Sequence, residues 1–281
     1  MTQMYANNFS KNKNSCAFAS FDDLNEAKIR ARLRTKNLGW RVAVVQETAS
    51  TQLEFAARGW ESGPEGSVVL AETQTAGRGR LGRRFYAPPG NGVYMSVLLK
   101  PDLPPERMVF VTVCAAVAVC RALRVATGLD AGIKWVNDIF HNGKKLCGIL
   151  AEASPDMTRV ILGIGVNTGV VPSEVADIAT SVGVETGAAV DRNALAAEIL
   201  NELEPLYARL ADDAARREVL REYAERQILT GRRVRVAALG GEYGAVVLGV
   251  ADDGALRVRN DAGETLLLNA GEVKICAEVK T

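Results

Sequence analysis

The sequence contains 281 residues, of which 48% are hydrophobic and 24% are charged, a composition typical of a globular protein with one large domain or a large and a small one. The formal net charge of +1 excludes the net basic field that draws proteins to nucleic acid. The five cysteines form no CxxC pair and there is a single histidine, so a zinc cluster is excluded. Most nucleophilic mechanisms that need a histidine base are excluded too, unless His141 is that base. Reduced thiols and a cytoplasmic location are expected.

The N-terminal part of the chain begins with a polar, asparagine-rich stretch. Residues 1–21 are predicted to be a disordered tail, and they have no apolar segment of the kind found in a signal peptide. A short helix is predicted over 22–33, with Asp22 or Asp23 as its N-cap. A strand is expected at 41–46.

A glycine- and arginine-rich stretch, ETQTAGRGRLGRRF at 72–85, is the most distinctive part of the sequence. Glycine lets several backbone N–H groups turn toward one point, and the arginine fork fits a carboxylate or phosphate. The pattern therefore predicts a loop that closes over an anion. Its G-x-G-x-x-G spacing also matches the dinucleotide-binding fingerprint, but Pro88, Pro89 and Gly90 are incompatible with the helix that the fingerprint requires.

Predicted strands and helices surround this loop. A strand at 67–73 leads into it, and in the strand at 92–100 that leaves it Tyr94 and Ser96 share one face. Thr51 and Glu54 fit a capping box at the start of a helix. The apolar run at 108–120 is too short to span a bilayer and predicts a buried core helix that ends at Gly128. Further elements are expected at 132–136, 146–153, 159–166, 191–210 and 214–227.

The C-terminal part has a different pattern. From residue 231 onward, five short apolar runs are separated by glycine or Asp-Gly pairs at regular spacing. Such spacing predicts a small β-barrel of roughly fifty residues. The boundary is expected near 228–231.

Polar residues lie at the ends of several predicted strands, where ligand sites often form. Each of them also has a purely structural explanation. Ser50 and Thr51 fit helix caps, Asn137 and Asp138 fit a turn, and Lys145 fits a solvated strand end. A single residue from this set therefore does not predict a function.

Four motifs in the same order do resemble a known family, the biotin–protein ligases. They are AETQTAGRGRLGRRF (71–85), IKWVNDIF (133–140), KKLCGILAE (144–152) and LGIGVN (162–167). The resemblance extends over about residues 24–281, because the opening ETASTQ and the C-terminal strands also agree.

The resemblance implies an α+β fold in which a central mixed β-sheet flanked by helices, of the class II synthetase type, precedes a small SH3-like β-barrel. The implied domains are a tail at 1–21, a catalytic domain at 22–229 and a barrel at 230–281. The implied activity is that of a biotin–[biotin carboxyl carrier protein] ligase. Such an enzyme uses ATP and Mg²⁺ to make biotinyl-5′-AMP, and then biotinylates a lysine in the carrier domain of a biotin-dependent carboxylase.

The resemblance also implies roles for individual residues. Lys145, Arg80 and Asp138 would be catalytic, and Asp138 would also position the magnesium ion. Biotin would contact Ser50, Thr51, Gln52, Gln74, Gly77, Arg78, Gly79, Arg80, Tyr94, Ser96, Gly148, Gly163 and Gly165. ATP or AMP would contact Arg78, Arg80, Arg83, Phe85, Asn137, Lys145 and Asn167.

Three positions depart from the family pattern. Phe85 stands where the family usually has Trp, Val136 where it usually has Pro, and Gln52 where it usually has Asn. Phe85 can still form an apolar wall, because stacking needs only an aromatic face. The residue that stacks on adenine is therefore left open.

Other functions fit parts of the sequence. A ligase for lipoate or octanoate would share the core, but the arginine-rich loop argues against it. A DNA-binding repressor that also ligates biotin would need a larger N-terminal module than the roughly forty residues before the first predicted strand. We expect a monofunctional ligase with neither DNA nor membrane as a partner, while a pure binding module and a homodimer through edge strands remain open.

Overall fold

The computed structural model describes residues 23–238, 241–269 and 271–276. The tail predicted at 1–21 and the cap predicted at Asp22 lie outside these residues. The described helices are α1 Glu26–Arg30, α2 Thr51–Ala57, α3 Val109–Thr127, α4 Val182–Thr186, α5 Arg192–Tyr207 and α6 Asp213–Glu225. The described strands are β1 Arg41–Thr48, β2 Ser67–Gln74, β3 Gly92–Leu99, β4 Gly132–Lys134, β5 Asp138–His141, β6 Lys144–Ala153, β7 Val160–Asn167, β8 Arg233–Ala238, β9 Gly241–Val250, β10 Leu256–Asn260, β11 Thr265–Leu268 and β12 Glu272–Ile275.

The core is a seven-stranded mixed sheet in the order β1-β2-β3-β7-β6-β5-β4. Strands β1 and β2 are parallel, and every other neighbouring pair is antiparallel. In this register Gly92 lies opposite Asn167, and Asp138 lies opposite Gly148. The end of β2, the start of β3, the end of β7 and the start of β6 therefore lie at one end of the sheet, and Asp138 at the start of β5 faces Gly148 within β6.

Helix α3 packs against the sheet and against α5 and α6. Its alanine- and valine-rich surface is buried nearly all round, and Gly128 ends it in the left-handed conformation (φ 75°), as predicted. By length and composition alone the stretch Pro105–Thr127 is apolar enough to cross a membrane, but 67% of its apolar window is buried inside the protein. It is the central core helix of the fold.

Two predicted helix caps are wrong. Helix α1 is capped by Asn25, whose side chain accepts a hydrogen bond from the Lys28 N–H, so Asp23 is not its cap. Helix α2 begins after Ser50, and Thr51 does not form the predicted capping box. The Glu54 carboxylate instead accepts a hydrogen bond from the Thr48 hydroxyl at 2.8 Å.

The C-terminal strands form a five-stranded antiparallel sheet in the order β11-β10-β9-β8-β12. It shares a hydrophobic cluster with the core, and its polar contacts with the core include two near the predicted site. The Trp135 indole N–H donates to the Gly254 carbonyl at 3.0 Å, and Arg83 forms an ion pair with Glu272. The fold class predicted from the sequence, a mixed sheet with helices followed by a small C-terminal β unit, is confirmed; the domain boundaries remain predictions.

Candidate active site

A cavity lies over the core sheet where most of the predicted site residues meet. Helix α2, the glycine- and arginine-rich loop, strands β5 to β7 and strand β12 all contribute to it. Its lining is Ser50, Thr51, Gln52, Gln74, Arg78, Gly79, Arg80, Leu81, Arg83, Arg84, Phe85, Met95, Lys134, Trp135, Asn137, Asp138, Lys145, Gly148, Ile149, Leu150, Gly163, Ile164, Gly165, Gly271, Glu272 and Val273.

At one end of the cavity, polar groups form a connected network around Thr51, in which Thr51 and Ser96 are buried. The Thr51 backbone N–H donates to the Gln74 side-chain carbonyl at 2.8 Å, and the hydroxyl groups of Thr51 and Ser96 are 2.8 Å apart. Ser50 precedes α2, where its side chain makes no capping hydrogen bond. Buried and mutually bonded polar groups hold a fixed geometry, so this end of the cavity is rigid. It offers hydroxyl and amide groups that suit a small polar ring.

Gln52 joins this network to the sheet. Its side-chain amide donates to the carbonyls of Leu150 at 3.1 Å and Ile161 at 3.2 Å. Gly163 lies directly beneath it, since a Cβ added at this position would be 3.2 Å from the Gln52 side-chain carbon. The longer glutamine at this position is accommodated because Gly163 leaves room for its amide.

Phe85 forms an apolar wall on the sheet. A Cβ added at Gly165 would lie 2.7 Å from its ring, and one added at Gly148 would lie 3.3 Å from it. These two glycines face each other across β6 and β7, and the Phe85 ring also meets Tyr94 edge-on, with 6.2 Å between ring centroids. The paired glycines therefore let an aromatic ring pack closely against the sheet, in keeping with the expectation that Phe85 can form an apolar wall.

Ion pairs and hydrogen bonds fix the glycine- and arginine-rich loop over the cavity. Arg78 pairs with Glu152 at 2.7 Å, and Arg80 donates to the Asn137 side-chain carbonyl at 3.1 Å. Leu81 has a left-handed backbone (φ 57°) and a largely exposed side chain. A leucine gains nothing from this conformation by itself, so the loop depends on its polar contacts to hold its shape.

Lys145 and Asp138 form an ion pair in the cavity wall, with 2.7 Å between the Lys145 Nζ and a carboxylate oxygen of Asp138. Lys134 lies near both groups and is over half buried. Burial lowers the pKa of the Lys134 ammonium, Asp138 and Glu272 raise it, and Lys145 and Arg83 lower it further. The positive charges of Lys134, Lys145 and Arg83 in this wall outnumber the two carboxylates, Asp138 and Glu272.

The lining of the whole cavity also carries more positive than negative charge. The lining contains six cationic side chains, Arg78, Arg80, Arg83, Arg84, Lys134 and Lys145, and two carboxylates, Asp138 and Glu272. An excess of four positive charges in a partly enclosed site attracts a polyanion such as a nucleoside triphosphate. The cavity thus combines a neutral hydrogen-bonding end with a strongly cationic end.

Asp138 is the residue that the sequence suggests as a magnesium ligand. Within 23–238, 241–269 and 271–276, no three His, Cys, Asp or Glu side chains are placed to hold a metal ion together. Mg²⁺, however, is commonly bound by one or two carboxylates, substrate phosphates and water. The partly exposed Asp138 carboxylate, one oxygen of which is buried beside the Lys145 ammonium, fits an ion that arrives with a nucleotide.

Most predicted site residues lie together in this cavity, but four do not line it: Gly77, Tyr94, Ser96 and Asn167. Within the loop, the Gly77 carbonyl instead accepts a hydrogen bond from the Phe85 N–H at 2.8 Å. Asn167 donates to the Thr180 carbonyl at 3.0 Å instead. Their roles as ligand contacts stay predictions.

Lys134, Trp135 and Glu272 are among the lining residues that the sequence analysis did not predict. Lys134 and Trp135 belong to the IKWVNDIF motif, which could have drawn attention to them. Glu272 lies in the C-terminal sheet, 189 residues from its partner Arg83, and no local pattern indicates it.

The sequence matches two known families along its length. Residues 43–167 match the biotin/lipoate A/B protein ligase family. Residues 229–275 match the biotin protein ligase C terminal domain. The first match contains most of the cavity, and the second contains Glu272.

Characterised relatives cover most of the chain. The biotin–[acetyl-CoA-carboxylase] ligase of Mycobacterium tuberculosis is 35% identical over 260 residues, which is 89% of this chain and 95% of that protein. The bifunctional ligase/repressor BirA of Bacillus subtilis is 35% identical over 249 residues, 85% of this chain and 76% of that protein.

The fold has a close structural counterpart. The structure of the biotin protein ligase of Aquifex aeolicus in complex with biotin and ATP superposes with a TM-score of 0.75, covering 84% of this chain and all of that one. At 24% sequence identity this likeness shows the shared fold.

Proposed function

Because the chain belongs to the biotin/lipoate A/B protein ligase family, we propose that it is an ATP-dependent ligase that activates biotin as biotinyl-5′-AMP and transfers it to a lysine of a carboxylase carrier domain. The observation that carries the proposal is the cavity, which combines the hydrogen-bonding network around Thr51 with a lining that holds four more cationic side chains than carboxylates. A neutral ring and a polyanionic nucleotide need those two environments side by side.

The buried end suits the ureido ring of biotin. That ring has a carbonyl that accepts hydrogen bonds and two N–H groups that donate them. Ser50 and Thr51 offer hydroxyl groups, and Gln74 offers an amide, at the place where α2 meets the end of β2. The Phe85 ring and the glycines beneath it would form the wall along the thiophane ring and the valeryl chain.

Adenylation joins two anions at the cationic end. A carboxylate oxygen of biotin attacks the α-phosphorus of ATP, a C–O–P linkage forms, and the bond to pyrophosphate breaks. Lys145 and Arg80 would neutralise the repulsion between carboxylate and phosphate and the charge that grows on the phosphoryl oxygens. Asp138 orients the Lys145 ammonium through their 2.7 Å contact.

Transfer uses the same mixed anhydride. The neutral amine of the acceptor lysine attacks the acyl carbon, the bond to AMP breaks, and the amine loses its proton as the amide forms. The glycine- and arginine-rich loop would keep water from the anhydride between the two steps. Its arginines are held by contacts that an anionic ligand can replace, such as Arg80 with Asn137.

Magnesium belongs to the proposal as an ion that comes with the nucleotide. Asp138 would hold it, and the bound ion would neutralise phosphate charge. We also propose a cytoplasmic enzyme that acts without DNA. The magnesium ion, the cytoplasmic location, the independence from DNA and a homodimer all remain predictions.

The direct test is to incubate the protein with ATP, Mg²⁺, biotin and the carrier domain of a biotin-dependent carboxylase, and to measure the mass of the carrier. A mass increase of one biotinyl group, dependent on ATP and absent when the acceptor lysine is replaced by arginine, is expected. Lipoate in place of biotin should give no product. An unmodified carrier together with lipoate transfer would reject the proposal.

A further inference from the structure

An ion pair joins the glycine- and arginine-rich loop to the C-terminal sheet. Arg83 in the loop contacts the carboxylate of Glu272, the first residue of β12. Both residues line the cavity, together with Gly271 and Val273 beside Glu272. The C-terminal sheet is therefore one wall of the cavity, and this wall is bonded to the loop that covers it.

We propose that Glu272 is a positioning residue that holds the loop closed through Arg83, so that the C-terminal sheet determines how long the activated acyl group stays enclosed. The consequence for the intermediate rests on the proposed ligase function, whereas the contact itself does not. Arg83 thereby receives a protein partner instead of the nucleotide contact that the family resemblance implies.

The carboxylate of Glu272 is well placed for this role. Strand β12 is paired with β8, where Glu272 lies opposite Ala237, and the next residue, Val273, is buried in the hydrophobic core. The Glu272 side chain is 21% exposed, whereas that of Arg83 is 60% exposed. A mostly covered carboxylate thus binds the end of a largely exposed cationic side chain.

The charge around Glu272 also favours the contact. A hydrogen bond from Arg83 is the main reason that the pKa of the Glu272 carboxyl lies below its usual value, and Lys274 and Lys134 lower it further against the effect of burial. The carboxylate is therefore ionised at neutral pH.

The other loop arginines have different partners. Arg78 and Arg80 reach Glu152 and Asn137, which belong to the core, and Arg84 donates to the Thr75 carbonyl within the loop itself. Arg83 is thus the arginine that connects the loop to the second unit of the described chain. If Arg78 and Arg80 turn toward a bound anion, Arg83 and Glu272 still hold the loop in place.

The test uses Glu272→Gln, Arg83→Gln, the double variant and a matched control. Asp261→Asn is the control, because Asp261 forms a 2.7 Å ion pair with Arg233 in the same sheet and does not line the cavity. The first measurement is the rate of trypsin cleavage after Arg78 and Arg80 in the ligand-free protein, followed by mass spectrometry.

Loss of one exposed Arg–carboxylate pair should make cleavage about threefold to fivefold faster in each single variant. Because both substitutions remove the same contact, the double variant should be no faster than the singles. Asp261→Asn should behave like the parent. Parent-like cleavage in Glu272→Gln, or effects of the two substitutions that multiply, would overturn the proposal.

The second measurement is the rate at which preformed biotinyl-5′-AMP leaves the protein. Glu272→Gln should release it about threefold to fivefold faster, with unchanged affinity for biotin alone. Unchanged release would overturn the role in retention. A parent protein that makes no adenylate would count against the ligase function only, since the cleavage experiment needs no ligand.

Discussion

The two ends of the cavity are built differently. At the buried end, Gln74 and Ser96 each bond to Thr51, and Thr51 and Ser96 hardly contact solvent. At the cationic end, exposed arginines of the loop reach partners such as Glu152 and Glu272 through ion pairs. The first arrangement exists whether or not a ligand binds, whereas the second depends on contacts that water and anions can replace.

The difference separates recognition from retention. Binding a rigid ring to a preformed network loses little conformational entropy, because the groups of the network are already oriented. A loop held by replaceable ion pairs can open to admit ATP and close over the product. We therefore expect substitutions at the buried end to change biotin affinity and those in the loop to change how long the intermediate stays.

The largest effect should come from Lys145, the ammonium group proposed to neutralise the carboxylate and the phosphate during adenylation. Lys145→Ala removes the ammonium group that faces Asp138, so adenylate formation should fall at least ~100-fold, as for removal of one preorganised donor. Biotin-dependent pyrophosphate release measures this. Lys144→Ala is the matched control, because Lys144 does not line the cavity and should keep nearly the parent rate. Equal losses in both variants would contradict the role of Lys145.

At the buried end, Thr51→Val keeps the shape of the side chain and removes its hydroxyl. The hydroxyl of Ser96 and the carbonyl of Gln74 each lose a partner, which should cost about 1–3 kcal/mol and weaken biotin binding roughly tenfold. Calorimetry measures the affinity and urea unfolding the stability. Thr127→Val is the control, since the Thr127 hydroxyl bonds only within and just after α3, and biotin affinity should not change. Parent-like affinity in Thr51→Val would show that the network does not recognise biotin.

In the loop, Arg80→Gly removes the contact with Asn137 and loosens the cover of the cavity. Adenylate should escape several-fold faster, about fivefold, and label lysines of bystander proteins. Arg84→Gly sharpens the comparison, because Arg84 bonds only to the loop's own Thr75 carbonyl and its loss should cause less escape. If bystander labelling does not rise in Arg80→Gly, the loop does not retain the intermediate.

The smallest effect concerns pH. The pKa of Glu272 is lowered in the folded protein, chiefly by Arg83, so its contribution is present above its unfolded pKa and is lost as pH falls through the folded value. Amide exchange in the loop, corrected for intrinsic rates, should therefore show constant protection between about pH 8 and about pH 5. Protection that disappears within that window would indicate that another group holds the loop.

Local pattern predicted much of the fold. The alternation and apolar runs of β1 to β3, the β6–β7 hairpin and the stop at Gly128 all follow from neighbouring residues. Helix α4 was missed because a five-residue helix is too short for a periodic signal. The predicted cap at Asp23 was wrong because the helix begins after Asn25, in a segment held by hydrogen bonds to Asn193, far along the chain.

Long-range contacts explain what the sequence could not reveal about the site. Thr51 looks like part of a capping box, but its hydroxyl turns to Ser96, 45 residues away. Tyr94 was predicted to contact the ligand, but it packs against the Phe85 ring, and Phe85 rather than Tyr94 lines the cavity. Glu272 carries no motif, and its importance follows only from the packing of the C-terminal sheet against the loop.

Amide exchange with and without biotin and ATP tests the contrast between the two ends most directly. Peptides from 51–57 and 67–74 should be protected in the ligand-free protein and gain little, whereas peptides from 77–85 should gain strong protection once the adenylate forms. A loop that is equally protected without ligand, or a buried end that becomes ordered only with ligand, would contradict the account.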